Sequence, residues 1–138
     1  MMKHLRLAPL VIVFVGQCGC TSSPLVNAKG RLTYRGEPVP STYVFFWPDE
    51  EGKRRSTGLT DDNGFFTLSY SRTEPGVLLG KHTVFLKYNV STDEELHKIP
   101  PKASSELREI IARYPDPKSS PLHYEITQNG QFIDIKIE

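Results

Sequence analysis

Gly58-Leu59-Thr60-Asp61-Asp62-Asn63-Gly64-Phe65-Phe66-Thr67-Leu68 is the stretch that decides the fold class. Asx side chains bond backbone amides two residues on, and glycine supplies the positive φ that a tight reversal needs. Asp61, Asn63 and Gly64 therefore predict a structural β-turn, with Leu59 and Phe65 at the ends of two strands joined as a hairpin. Beyond the turn, Phe66, Leu68 and Tyr70 alternate with Phe65, Thr67 and Ser69, so Phe66 and Leu68 set the register that turns one face inward.

The same period of two recurs on both sides. Upstream, Ala28, Gly30, Leu32 and Tyr34 alternate with Lys29, Arg31, Thr33 and Arg35, and Gly36-Glu37-Pro38 ends that strand in a turn. Thr42-Tyr43-Val44-Phe45-Phe46-Trp47 is strongly β-prone and apolar on both faces, Val44 and Phe46 on one, Tyr43, Phe45 and Trp47 on the other. Asp49 to Arg55 follows as a charged hairpin loop. Downstream, Ser71 to Leu79 contains Pro75-Gly76 and predicts a loop. Lys81 to Tyr88 is a further strand, with Val84, Leu86 and Tyr88 opposite Lys81, Thr83, Phe85 and Lys87. Leu122 to Ile126 and Ile133 to Ile137, joined at Gln128-Asn129-Gly130, predict a closing hairpin. Six or more short strands at regular spacing argue for a small antiparallel, all-β sandwich.

One segment breaks the pattern. Leu107, Ile110, Ile111 and Tyr114 fall at i, i+3, i+4 and i+7, which predicts a short amphipathic helix over Glu106 to Tyr114. Ser104 or Ser105 can cap it, Glu106 and Glu109 suit its N-terminal dipole, and Pro115 stops it.

Composition narrows the class. The 138 residues include 11 prolines and 10 glycines, which fits a single turn-rich β domain. The 17 Lys and Arg include Lys3 and Arg6, so a chain without those two carries 15 against 16 Asp and Glu. A near-neutral chain of this kind gives no basis for electrostatic capture of nucleic acid.

At the N-terminus, Lys3, His4 and Arg6 precede an apolar run from Leu7 to Val15, too short to span a bilayer but built like a secretory signal. Gly16-Gln17-Cys18-Gly19-Cys20 follows and resembles the processing site of a bacterial lipoprotein, where a small residue precedes a cysteine that is lipidated. Gly19 favours Cys20, and Cys18 is the alternative, since Gln17 replaces the Leu such signals prefer; a plain cleaved signal peptide is the third reading. The expected division is residues 1–20 as signal and lipidation site, 21–25 as a polar linker, and 26–138 as the folded domain. No cysteine lies in the folded part, so no disulfide supports it. The expected address is the cell envelope, with the domain facing the periplasm or the exterior and held to the membrane by lipid.

With the strands in order, a family resemblance emerges. Lys29 to Pro40, Val44-Phe45-Phe46, Thr60 to Leu68, Gly80-Lys81-His82, Ile99-Pro100-Pro101-Lys102, Ser120-Pro121-Leu122 and the Gly130 to Ile137 strand resemble the carboxypeptidase regulatory-like, transthyretin-like (prealbumin-like) β-sandwich domains of bacterial lipoproteins. The resemblance implies a Greek-key sandwich and a non-catalytic module with a structural or binding role. It supplies no site residues, and the helix near Glu106 stands out as an insertion.

The residues themselves agree with a non-enzymatic reading. There is no nucleophile elbow and no phosphate-binding glycine loop. Aligning Gly64 with the turn glycine of a calcium loop puts Leu59 first and Tyr70 last, two positions that need oxygen ligands, so Asp61 to Asn63 read as turn chemistry. His82, His97 and His123 form no spaced ligand pair. No metal and no cofactor are expected. The row Tyr43, Phe45 and Trp47 is the candidate surface for a protein or glycan partner, since rings flanked by charge stack on sugars or anchor an interface. The competing expectation is that the apolar face of the inserted helix packs over this row and covers it. Partner identity and oligomeric state stay open at this level.

Overall fold

The computed structural model describes residues 25–89 and 105–138, and of Ser105, Leu107 and Arg108 the backbone alone. The signal, both cysteines, most of the linker, His97, the Ile99 to Lys102 element and Ser104 lie outside the described residues.

Alternation makes the strands. In β2 (Ala28–Tyr34), Ala28, Gly30, Leu32 and Tyr34 are buried, as the period-two pattern predicts. Arg35 and Gly36 both have positive φ, the two-residue reversal that returns the chain as β3 (Glu37–Pro38) against the end of β2. β4 (Thr42–Pro48) and β5 (Ser56–Leu59) form the predicted hairpin around Gly52, with Phe46 opposite Ser56. β8 (Gly80–Tyr88) pairs antiparallel with β4 along its length, and β9 (Leu122–Ile126) closes the far side of β8. This sheet runs in the order β5-β4-β8-β9.

The second sheet is built around β2. Its first half pairs with β6 (Phe65–Thr67), its second half with β3, and its other edge carries β10 (Gln131–Ile137). The two sheets face each other over a core of Leu32, Val44, Phe46, Phe66, Leu68, Val84, Leu86, Ile126, Ile133 and Ile135. Each fully buried side chain of this size contributes about 1.5–3 kcal/mol. The protein is thus an all-β sandwich which, among the described residues, has one short helix and is antiparallel apart from a single pair. A small extra pair, β1 (Leu25–Val26) with β7 (Val77–Leu78), lies in a segment whose Pro75-Gly76 predicted only loop.

Two expected hairpins are corrected. The Asp61–Gly64 turn is present: Asp61 Oδ1 accepts the amides of Asn63 at 2.9 Å and Phe65 at 3.0 Å, and Gly64 has φ +80°. Asn63 serves through its carbonyl, which accepts from Arg31 Nε at 3.1 Å. Yet β5 belongs to one sheet and β6 to the other, so the turn is an arch between layers. Ser69 then bridges back to Thr57, closing that corner of the sandwich. Likewise β9 and β10 lie in different sheets, and β10 runs parallel to β2 with Ile135 opposite Leu32. Local turn chemistry encodes a reversal of direction and leaves the choice of partner to burial of Ile133, Ile135 and Ile137, which only the interior can provide.

The helix α1 (Ser105–Ile111) is shorter than its apolar spacing predicted. Amides of Arg113 and Tyr114 bond the carbonyls of Ile110 and Ile111, tightening the last turn before Pro115, which has no amide to continue it. Ile111 is buried in the core, with Ile110 and Tyr114 packed against it, and the Tyr114 carbonyl accepts from Leu86 N at 2.9 Å beyond the end of β9. Arg35 holds Glu106 at 3.1 Å from the β2–β3 turn. The helix therefore packs at the edge of β8 left open beyond β9 and sends Ile111 into the same core as Val44 and Leu86. The expectation that it packs over Tyr43, Phe45 and Trp47 is overturned, because those residues point through the opposite face of the same sheet.

Among the described residues, His82 is the one imidazole in the core. It is 1% exposed, its Nδ1 donates to the Gly80 carbonyl at 3.0 Å, and Nε2 has no partner among the described residues. Burial pushes its pKa below the ordinary value, outweighing the Gly80 carbonyl and the charge of Asp49. The unfolded chain then binds the proton first as pH falls through about 6.5, so acid favours unfolding in the window between the folded and unfolded values. The urea midpoint is expected to fall between pH 7.5 and 5.5, and His82→Gln to flatten that dependence. An identical slope in the variant would remove His82 from the account.

Candidate binding face

The outer face of the β5-β4-β8-β9 sheet carries Tyr43, Phe45 and Trp47 along β4. Two cross-strand neighbours decide how they are presented. Phe85, opposite Phe45 on β8, stacks on it with centroids 4.6 Å apart and planes 10° apart. The Arg55 guanidinium lies 4.9 Å from the Phe45 ring centre. Phe45 is thus the half-buried middle of a pile, with Phe85 beneath a ring that also holds Arg55 in place. Tyr43 flanks it at 6.0 Å, and Trp47, 40% exposed, leans on Phe85 at 6.4 Å.

These rings form one wall of an open groove of about 910 Å³. The other walls come from the β4–β5 loop and from the chain after β6: Lys53, Arg54, Arg55, Thr57, Ser69, Tyr70, Ser71 and Arg72 line it. Among the described residues, four cations and no carboxylate are in that lining. Glu50 reaches Lys53 from the rim at 3.9 Å, whereas Arg54, Arg55 and Arg72 make no ion pair among the described residues. Arg54 sits 5.8 Å from the centre of the Tyr70 ring. Tyr70, expected to share the inward face of Phe66 and Leu68, turns to the groove because the Ser69 bridge and the bend after it rotate the strand. Arg72 is carried on a compact turn in which Ser71 Oγ accepts the amides of Thr73 and Glu74 at 3.3 and 3.1 Å, and Tyr70 N bonds the Glu74 carbonyl at 2.9 Å.

Neither a family model, nor a curated protein, nor a solved structure matches this chain.

Further along the same face, Thr83 Oγ1 donates to Asp49 Oδ1 at 2.9 Å and accepts from His123 Nδ1 at 3.2 Å. A nucleophilic hydroxyl gives its proton to the imidazole. Here the hydroxyl proton is committed to Asp49 and the imidazole is the donor, so the trio braces β8 against β9 and the β4 end. Among the described residues no group of three or more His, Cys, Asp or Glu is placed to hold a metal ion.

Of the residues singled out from sequence, the structure brings Tyr43, Phe45 and Trp47 together on one face and keeps Asp61, Asn63 and Gly64 in the turn. The groove cations were missed. Lys53, Arg54 and Arg55 read as an ordinary charged loop, and Arg72 lies beyond the turn at Gly64. The available signal was one run of three basic residues, Lys53-Arg54-Arg55, shortly after an aromatic strand, with no acidic residue from Lys53 to Thr60.

Proposed function

We propose that the chain is a non-catalytic β-sandwich module of the bacterial cell envelope, lipid-anchored through Cys20, that docks an extracytoplasmic partner on the outer face of β4. This places it with the carboxypeptidase regulatory-like, transthyretin-like domains it resembles. The observation that carries the reading is the open aromatic row: the helix that was the candidate cover turns Ile111 into the core instead, and Trp47 is exposed beside a groove. A β-sheet face backed by a packed core presents side chains with little loss of conformational freedom on binding. A sugar-binding version of the same reading is favoured by the rings that line an open groove.

Two measurements test it. Cys20→Ser is expected to lose palmitate labelling and move from the membrane to the soluble fraction, while Cys18→Ser keeps both; a labelled, membrane-bound Cys20→Ser protein would defeat the anchor assignment. Hydroxyl-radical footprinting in intact envelopes is expected to show Trp47 protected relative to the purified full-length protein. Equal oxidation in both would mean that nothing docks on β4.

A further inference from the structure

We infer that the groove beside β4 takes an acidic polysaccharide, a chain of uronate sugars whose carboxylates meet Arg55, Arg54 and Arg72 while the sugar rings lie on Trp47 and Tyr43. The inference rests on the docking reading above and specifies its ligand.

Charge complementarity is the first argument. Among the described residues, Lys53, Arg54, Arg55 and Arg72 line the groove and no carboxylate does, the flanking acids being Glu50 beside Lys53 and Glu74 bonded to Ser71 Oγ at 3.4 Å, although the whole chain is close to neutral. Concentrated cations against apolar walls focus a positive potential and attract an anion. Guanidinium in particular forks a carboxylate through two parallel N–H donors. Arg55 is already held against Phe45, so it loses less freedom on binding than a solvated arginine.

Shape is the second. Tyr43 and Trp47 stand two residues either side of Phe45, about 13 Å apart by strand rise. That span suits several linked rings laid along β4. The hydroxyls of Thr57 and Ser69 line the same groove and match sugar hydroxyls as donors and acceptors.

The backbone argues against an extended acidic peptide. Peptides commonly add to a free sheet edge. β4 is paired on both sides, and Thr57 exchanges both of its backbone hydrogen bonds with Ser69, so this part of the groove offers no edge. Recognition here must come from side chains, which favours a ligand recognised by its rings and charges.

The test uses the full-length protein in detergent micelles and three probes: polygalacturonate, its methyl ester, and poly-glutamate. The ester keeps the rings and loses the charge; poly-glutamate keeps the charge and loses the rings. Polygalacturonate is expected to bind at about 50 mM salt and to weaken at least about tenfold at about 0.5 M. The other two probes are expected to bind at least about tenfold more weakly than polygalacturonate, as are the Arg55→Gln and Trp47→Ala variants toward polygalacturonate itself. Both residues are exposed, and an unchanged thermal midpoint establishes that each variant is folded; Arg54→Gln with Arg72→Gln gives an independent second variant. Equal binding of poly-glutamate would overturn the inference in favour of an acidic protein segment, and equal binding of the ester would show that the cations take no part. No binding of polygalacturonate, with Trp47 still protected in envelopes, would sink the glycan and leave the docking face standing.

Discussion

Gly64→Val is expected to leave little folded protein at 25 °C. Gly64 has φ +80°, a region that a β-branched residue enters at a cost of roughly 1–2 kcal/mol. The larger effect is steric. A Cβ there would lie 2.5 Å from the Leu32 carbonyl oxygen of β2 and 3.2 Å from the Val39 amide nitrogen just after β3, both backbone atoms. Relief requires moving the arch away from β2, which breaks the 2.8 Å bond from Leu32 N to the Gly64 carbonyl. Together these amount to several kcal/mol, comparable with the whole stability of a typical domain at about 5–15 kcal/mol. Gly52→Ala is the control. Gly52 has a similar φ of +75° but nothing within 4 Å of its Cβ position, so it isolates the conformational term at about 1 kcal/mol. Urea unfolding of both variants separates the terms, and equal losses would show that the packing of the arch against β2 contributes nothing.

The second large effect is expected at Gly30, where the backbone is ordinary and the space is not. A Cβ on Gly30 would lie 2.2 Å from the Ile133 carbonyl oxygen of β10 and 2.6 Å from Phe66 Cζ. Gly30→Ala should therefore cost about 3 kcal/mol or more, since overpacking against a backbone atom has no rotamer to relieve it. Phe66→Leu makes room on one side only, and the double variant is expected to remain as unstable as the single one. Rescue by Phe66→Leu would mean that β10 gives way easily and that the parallel pairing is loose.

These two glycines show what was and was not legible beforehand. Gly64 could be read from its own neighbours, because Asp61 and Asn63 announce a turn whatever lies across from it. Gly30 could be read only as one inward position of an alternating strand. Its constraint comes from Ile133, more than a hundred residues away, and nothing local reports that. The same division holds throughout. β2 and β4 were legible because half-buried strands write their two faces into the sequence, and β8, though buried on both faces from His82 to Leu86, was legible from its β-prone alternation. The sheet each strand joins was not, and both misassigned hairpins failed there. The helix was legible as a helix from Ile110, Ile111 and Tyr114, but its docking site was not, since an apolar stripe fits the inside of a sandwich as well as the outside. At the groove, the rings of β4 were evident while Arg72 was not, because its approach to Arg54 and Arg55 depends on the Ser69 bridge.

The parallel pairing of β10 with β2 also sets an order of events in time. Along all seven residues of β2, one edge waits for a strand made about a hundred residues later. Contacts of such long sequence separation form slowly, since the loop must close before the pairing rewards it. Until β10 arrives, Leu32 lacks the neighbouring Ile135 that completes its layer, and the sandwich stays open. Late closure of this edge is expected to hold back the final collapse of the sandwich until the C-terminal strand has been made.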